Sequence, residues 1–167
     1  GCSWSPKRIT VSSVGIIKGL KRFIEESECH LAISLHNPYS IERQEVMPIE
    51  KAHHLNSVIS LLKQYDWAKQ RRVSFEYICW GGMNDSIKHA NELLRVLKGL
   101  DCRINLIRFH VSPTENHDSV AFAPSNERQM EWMRDYLTER GITTTIRRSR
   151  GEDILAACGM LVNALKE

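Results

Sequence analysis

The sequence has no long hydrophobic run, no closely paired cysteines and no strong excess of charge of either sign. Apolar residues make up 42% of the 167 residues, yet no apolar stretch approaches the roughly 20 residues of a membrane-spanning helix. No secretory signal is visible either. The formal net charge of +3 permits contact with nucleic acid without requiring it. We therefore expect one soluble domain without membrane partners.

The five cysteines are scattered along the chain, odd in number and never arranged as CxxC; they are Cys2, Cys29, Cys79, Cys102 and Cys158. This usage argues against a disulfide framework and against a local zinc or iron–sulfur site, so no metal ligand is predicted within the chain. A reducing cytoplasm is the expected location.

Segments with strand and helix periodicity alternate. Strands are predicted at Arg8–Ser12, His30–His36, Val73–Cys79, Arg103–Phe109 and Ile142–Arg147. Helices are predicted at Gly15–Glu26, at Leu55–Gln70, from Asp85 or Ser86 to Leu97, from a Ser125 cap to Glu139, and from near Asp153. This order predicts an α/β fold with a parallel sheet. Five units are too few for a closed eight-stranded barrel, and the missing initiator methionine favours the later part of a larger barrel over a small open sheet.

Strand alternation predicts which side chains face a ligand. Leu31, Ile33 and Leu35 share one face, so Ser34 and His36 point the other way. The same alternation directs further polar side chains to that surface: Ser12, Ser74 and Glu76. Parallel α/β folds bind ligands at the carboxyl ends of their strands, so we expect a ligand there.

Each of these polar residues also has a structural interpretation. Ser12 and Ser34 could satisfy backbone groups at strand ends, and His36 could cap the turn that Asn37 and Pro38 begin. A carboxylate in an otherwise apolar strand could belong to a buried ion pair, here between Glu76 and an arginine among Arg8, Arg103 and Arg108.

Cys158 lies among small residues after a basic run from Arg147 to Arg150. Nearby guanidinium groups favour a thiolate, although a free cysteine also packs well as a small buried side chain. The basic run could bind RNA phosphates, or it could form a solvated turn paired with Glu152 and Asp153.

Several segments together resemble the C-terminal part of a radical S-adenosylmethionine (SAM) enzyme, most closely the adenine-C2 methyltransferases of large-subunit ribosomal RNA and transfer RNA. They follow family order and spacing over nearly the whole chain: Arg8–Gly15, Leu31–Pro38, Val73–Tyr77, Gly82–Ser86, Asn105–Phe109, Ile146–Ile154 and Ala156–Gly159. The resemblance implies that residues 1–167 form the later part of a partial (β/α) radical SAM barrel, with helices on one face of a parallel sheet.

The resemblance also implies roles for individual residues. Ser12, Ser34, Leu35 and His36 match positions that contact SAM. His110 stands where the family usually has a cofactor-binding asparagine, and it could still form a hydrogen bond there. Cys158 matches the cysteine that SAM methylates. In the family, a radical generated from a second SAM at a 4Fe-4S cluster then activates this S-methyl group for addition to C2 of adenine.

In the family, the CxxxCxxC cluster motif and the resolving cysteine lie upstream, and this chain has neither. The chain alone is therefore expected to be inactive. For the full-length protein the resemblance implies ribosomal RNA and transfer RNA as substrates and an electron donor such as flavodoxin or ferredoxin.

Two alternatives remain open at this point. A paralogue with the same fold would methylate adenine at C8, and a cluster-less RNA-binding module would use Cys158 only for packing. Independently of function, the exposed sheet edge at Arg8–Ser12 is a predicted site of self-association.

Overall fold

The computed structural model describes residues 5–67, 72–109 and 122–147, and its centre is a parallel five-stranded sheet. The strands are β1 Thr10–Ser13, β2 His30–Ser34, β3 Val73–Cys79, β4 Arg103–Arg108 and β5 Thr143–Arg147. Their order in the sheet is their order in the chain, and every neighbouring pair is parallel. The predicted α/β fold with a parallel sheet is confirmed.

Five α-helices connect or flank these strands in the described part of the chain. They are α1 Ile17–Glu26, α2 Ser40–Val46, α3 Leu55–Leu62, α4 Ile87–Leu97 and α5 Glu127–Glu139. Short 3₁₀ helices form at Pro6–Arg8 and Pro48–Lys51. Within the described ranges, no helix is both long and apolar enough to cross a membrane.

The main hydrophobic core lies between the sheet and four helices: α1, α3, α4 and α5. Leu31, Ile33 and Leu35 are at most 1% exposed and belong to this core, as their alternation along β2 predicts. Alternate residues of β3 are also buried in this core: Val73, Phe75, Tyr77 and Cys79. Burial raises the pKa of the Cys79 thiol, so this cysteine is a packing residue.

The opposite side of the sheet, which we call the inner face, carries polar side chains in its middle. The strand register aligns four of them in one row across the sheet, Ser34, Glu76, Asn105 and Thr145, here called the polar row. Towards the carboxyl ends of the strands this face becomes apolar, where Ile78 and Ile107 pack in a second cluster with Val46, Met47 and Trp80.

The α2 helix was not predicted from the sequence. Its segment is mostly polar, and its Ile41 is 80% exposed, so it has no apolar stripe of helical period. The predicted helix at Leu55–Gln70 was too long, because α3 ends at Leu62. The Leu62 carbonyl accepts hydrogen bonds from the Tyr65 N–H at 3.2 Å and the Trp67 indole N–H at 2.8 Å, which replace the continuing helical pattern.

The predicted Ser125 cap was also wrong. Asn126 caps α5 by accepting a hydrogen bond from the Gln129 N–H at 2.8 Å, while the Ser125 hydroxyl donates to Asp85. The predicted strand boundaries differ from the observed ones by at most two residues, and those of Val73–Cys79 match them. The predicted helix near Asp153 lies outside the described residues, as do His110 and Cys158.

Candidate functional site

The end of β2 is the best-defined part of the candidate site. After Ser34 the chain turns, and His36 adopts φ of 58°, in the left-handed region that non-glycine residues seldom occupy. Two hydrogen bonds hold this turn: the Asn84 amide donates to the His36 carbonyl at 2.6 Å, and the Ile78 N–H donates to His36 Nδ1 at 3.1 Å. Other contacts therefore compensate for the unfavourable backbone conformation, as is common at functional sites.

These contacts also define the protonation state of His36. Because Nδ1 accepts a backbone N–H, the ring proton of neutral His36 is on Nε2. Burial, with a smaller contribution from the charge of Arg43, lowers the pKa of His36 to about 3. Nε2 has no hydrogen-bond partner among residues 5–67, 72–109 and 122–147. His36 therefore presents a neutral N–H donor at physiological pH.

A buried ion pair fixes the backbone just before this turn. Arg43 on α2 donates from Nη2 to the Ser34 carbonyl and from Nε to the Leu35 carbonyl, both at 2.9 Å. Its Nη1 pairs with Glu50, and the two side chains are 0% and 1% exposed. Glu50 also accepts the Leu55 N–H at 2.9 Å. Charges this deeply buried are tolerated only when they are paired and hydrogen-bonded, and Arg43 and Glu50 meet both conditions.

Asn84 connects the end of β3 to the same turn. Besides His36, its amide donates to the Ile78 carbonyl at 2.7 Å, and its Oδ1 accepts the Trp80 N–H at 2.8 Å. Asn84 is fully buried, so each of these bonds satisfies a group that water does not reach. Sequence reasoning placed Asn84 only in a turn. The available signal was an asparagine, a residue that often forms hydrogen bonds with nearby backbone, two positions after Gly82.

The polar row is internally hydrogen-bonded. Asn105 donates to Glu76 Oε1 at 2.9 Å, and the Thr145 hydroxyl donates to Asn105 Oδ1 at 2.9 Å. The arginine that pairs with Glu76 is Arg147, with its Nη1 at 3.5 Å from Oε2. The predicted partners Arg8, Arg103 and Arg108 were wrong, because the end of β5 brings Arg147 across the sheet from a distant part of the sequence.

The structure describes four of the predicted site residues, and two of them lie close together. Ser34 and His36 are half-buried at the end of β2, whereas Ser12 is exposed on β1, level with Ala32. Strand geometry separates the Cα atoms of Ser12 and Ser34 by roughly 8 Å, within reach of one nucleoside-sized ligand. Leu35 lies between Ser34 and His36 in the chain, and its side chain is in the main core. It could therefore contact a ligand only through its backbone.

Two buried polar atoms near this turn have no hydrogen-bond partner in the described ranges: Glu76 Oε2 and Trp80 Nε1. The Trp80 ring lies 6.1 Å from the His36 ring in an edge-on arrangement. The carboxylate oxygen of Glu76 is a hydrogen-bond acceptor, and the indole N–H of Trp80 is a donor. A polar ligand with both kinds of group, such as a nucleoside, could pair with both atoms. By contrast, no group of three or more His, Cys, Asp and Glu residues in the described ranges could hold a metal ion.

Comparison with known proteins extends these observations. No protein-family model matches the chain. A solved structure titled as a radical SAM methyltransferase from Sphaerobacter thermophilus superposes with a TM-score of 0.86 at 35% identity, covering 96% of this chain and 46% of that one. A domain of pyruvate-formate lyase-activating enzyme from Bacteroides vulgatus has a TM-score of 0.60 over 83% of this chain at 17% identity, which shows a shared fold only.

The sheet and this superposition give the chain the fold of the matching part of a radical SAM methyltransferase. Among curated relatives, the Bacteroides fragilis protein named "Probable dual-specificity RNA methyltransferase RlmN" is 59% identical over 167 residues, 100% of this chain and 47% of the relative. The dual-specificity RNA methyltransferase RlmN of Nitratidesulfovibrio vulgaris is 42% identical over 161 residues, 96% of this chain and 43% of the relative. The chain belongs to the RlmN family, and it spans about half the length of the curated relatives that it matches.

Proposed function

We propose that the chain is the C-terminal part of the radical SAM barrel domain of a cytoplasmic enzyme that methylates C2 of adenine in ribosomal RNA and transfer RNA. The observation that carries this proposal is the identity with dual-specificity RNA methyltransferases, which reaches 59% and extends over the whole chain. An electron donor such as flavodoxin or ferredoxin would serve the full-length enzyme.

In this proposal the end of β2 binds SAM. Ser12 and Ser34 offer hydroxyl groups, His36 donates from Nε2, Leu35 sets the spacing of the turn, and His110 adds a contact from beyond β4. The lowered pKa of His36, about 3, supports this role because the ring stays neutral and adds no repulsion toward the sulfonium cation of SAM. Bound SAM would supply the methyl group.

A 4Fe-4S cluster does not fit the described residues, since no suitable set of ligands exists among them. We place its ligands in the part of the full-length protein outside this chain, where the resemblance puts the CxxxCxxC motif. Without these ligands the isolated chain is expected to be inactive.

Cys158 is the proposed methyl carrier. Its thiolate would accept the methyl group as S-methylcysteine, an intermediate from which the carbon reaches the adenine ring. A lone cysteine after a basic run supports this role, because nearby arginines favour the thiolate form. Other cysteines of the chain are poor candidates: Cys79 and Cys102 are both buried, and burial raises the pKa of the Cys102 thiol to about 12.

The test is an anaerobic reaction of the full-length protein, with its cluster reconstituted, SAM, a reductant and either ribosomal or transfer RNA. Digestion of the RNA and mass spectrometry of the nucleosides should detect 2-methyladenosine. Cys158→Ala should abolish the product, whereas Cys29→Ala, at a half-buried position far along the chain from Cys158, should retain it. Formation of 8-methyladenosine would assign the C8 reaction instead. No methylated adenosine from the loaded protein would contradict the proposal.

A further inference from the structure

Glu76 has one carboxylate oxygen that the described residues leave without a hydrogen-bond donor. Oε1 accepts from Asn105 at 2.9 Å, but Oε2 has no hydrogen bond, although the residue is only 9% exposed. Arg147 Nη1, at 3.5 Å, pairs with the charge without satisfying the lone pairs of Oε2. Buried carboxylate oxygens are normally hydrogen-bonded, so this one suits a ligand that brings a donor.

The position of Glu76 places that oxygen next to the proposed SAM site. Ser34 and Glu76 are register partners on neighbouring strands, so their Cα atoms are about 4.8 Å apart. Both side chains point to the inner face, because Phe75 and Tyr77 on either side of Glu76 lie in the main core.

The carboxylate is also held in place before any ligand arrives. Asn105 fixes Oε1, and Thr145 in turn fixes the Asn105 amide by donating to its oxygen. A fixed acceptor loses little side-chain entropy when a ligand binds, which favours specific recognition.

The electrostatics favour a neutral donor over a second cation. Arg147 already balances the charge of Glu76, and no acidic cluster among the described residues would call for a metal ion. A hydroxyl group adds a hydrogen bond to an ionised acceptor without adding charge, and carboxylates commonly bind ribose hydroxyls in this way.

We propose that Glu76 accepts a hydrogen bond from a ribose hydroxyl of SAM and thereby selects the ribonucleoside form of this ligand. This inference rests on the proposed function, since it assumes that SAM binds beside Ser34. It adds a binding residue to the site and requires no chemical step at Glu76.

The test uses the full-length protein with its cluster reconstituted, and S-adenosylhomocysteine as a non-reacting ligand. Calorimetry would compare the ribose form with its 2′-deoxy and 3′-deoxy analogues. In the parent protein, loss of the recognised hydroxyl should weaken binding about tenfold or more, the range for a hydrogen bond to a charged group. In Glu76→Gln, with a neutral acceptor, this discrimination should fall several-fold.

Glu26→Gln is the matched control, because this exposed glutamate on α1 lies on the helix-covered side of the sheet; it should keep the full discrimination. Glu76→Asp, which withdraws the carboxylate by one methylene, provides a second variant if Glu76→Gln does not fold. Its discrimination should also fall.

Two results would overturn the inference. Equal binding of all three ligands by the parent excludes a recognised hydroxyl, whatever the variants do. Full discrimination in a folded Glu76 variant assigns the hydroxyl to another residue. By contrast, a parent protein that binds no S-adenosylhomocysteine would refute the proposed function itself.

Discussion

At the scale of single residues, the turn after β2 is held by side chains that come from other elements. Arg43 satisfies the carbonyls of Ser34 and Leu35, and Asn84 satisfies the carbonyl of His36. The N–H groups of Leu35 and His36 both donate to the Glu76 carbonyl, at 3.0 and 3.3 Å. The candidate binding segment is therefore ordered before a ligand binds, which lowers the entropic cost of binding.

Asn84→Ala should destabilise the protein by about 3 kcal/mol, because it leaves three buried backbone groups without their partner. Urea unfolding of the full-length protein measures the change in unfolding free energy. The control is Asn56→Ala on the exposed side of α3, which should change stability by less than about 0.5 kcal/mol. Equal stabilities of the two variants would show that the Asn84 bonds contribute little.

His36→Asn should flatten the pH dependence of stability. The pKa of His36 falls from 6.5 to about 3, so between these values the unfolded chain binds more protons than the folded one. The parent is thus fully stabilised by neutral His36 above pH 6.5 and loses that contribution as the pH falls toward 3. The slope of unfolding free energy against pH should be smaller in the variant by up to about 1.4 kcal/mol per pH unit.

Asparagine is the informative replacement for His36, because it tolerates positive φ and can still accept the Ile78 N–H. Acid titration of urea midpoints for the parent and His36→Asn gives both slopes. Parallel slopes would mean that His36 titrates normally in the folded protein.

At the scale of elements, Arg43 joins α2 to the end of β2 by its hydrogen bonds to the Ser34 and Leu35 carbonyls, and Glu50 pairs with its charge. Glu50→Gln should destabilise the protein by about 3–5 kcal/mol, since it leaves the Arg43 charge buried and unpaired. Glu26→Gln, in an exposed pair with Arg22 on α1, should change stability by less than about 1 kcal/mol. Chemical denaturation measures both; a small effect at Glu50 would indicate that water reaches Arg43.

The β1 strand pairs on one side only among the described residues. Its own Val11 is exposed, as are three apolar residues that flank the strand: Ile9, Val14 and Ile16. We expect copies of the isolated 167-residue chain to associate through this edge. Val11→Lys should shift sedimentation toward the monomer, whereas Ile41→Lys, at a solitary exposed isoleucine on α2, should not. A monomeric parent chain would contradict this expectation.

Sequence patterns predicted the elements where burial is periodic. Val73–Cys79 was predicted with its observed bounds because alternate residues are fully buried in the main core. The α2 helix was missed for the opposite reason. Its main buried contact is made by Arg43, which pairs with Glu50 and donates hydrogen bonds to the Ser34 and Leu35 carbonyls instead of packing on an apolar surface. Helix periodicity detects a stripe of apolar residues, so it does not detect a buried ion pair.

The candidate site was predictable only in part for a similar reason. Strand alternation and family resemblance both selected Ser34 and His36, and the structure brings these two together. The partner of Glu76 was not predictable, because Arg147 is 71 positions further along the chain and reaches it through β4 and β5. Local patterns do not encode such long-range pairs.

At the scale of the whole molecule, the two faces of the sheet differ in chemistry. The helix-covered face holds the main core, while the inner face collects His36, the polar row and two unsatisfied buried atoms. In the proposed enzyme this face holds SAM, and Cys158 receives its methyl group. Methyl transfer to Cys158 distinguishes this enzyme from an RNA-binding module of the same fold.

Peptide mass spectrometry of the full-length protein, purified from its own cells, is the test of this methyl transfer. We predict a mass increase of one methylene on Cys158 and none on the buried Cys79 and Cys102, whose thiols have raised pKa values. An unmodified Cys158, in protein shown to contain its cluster and SAM, would contradict the proposed reaction.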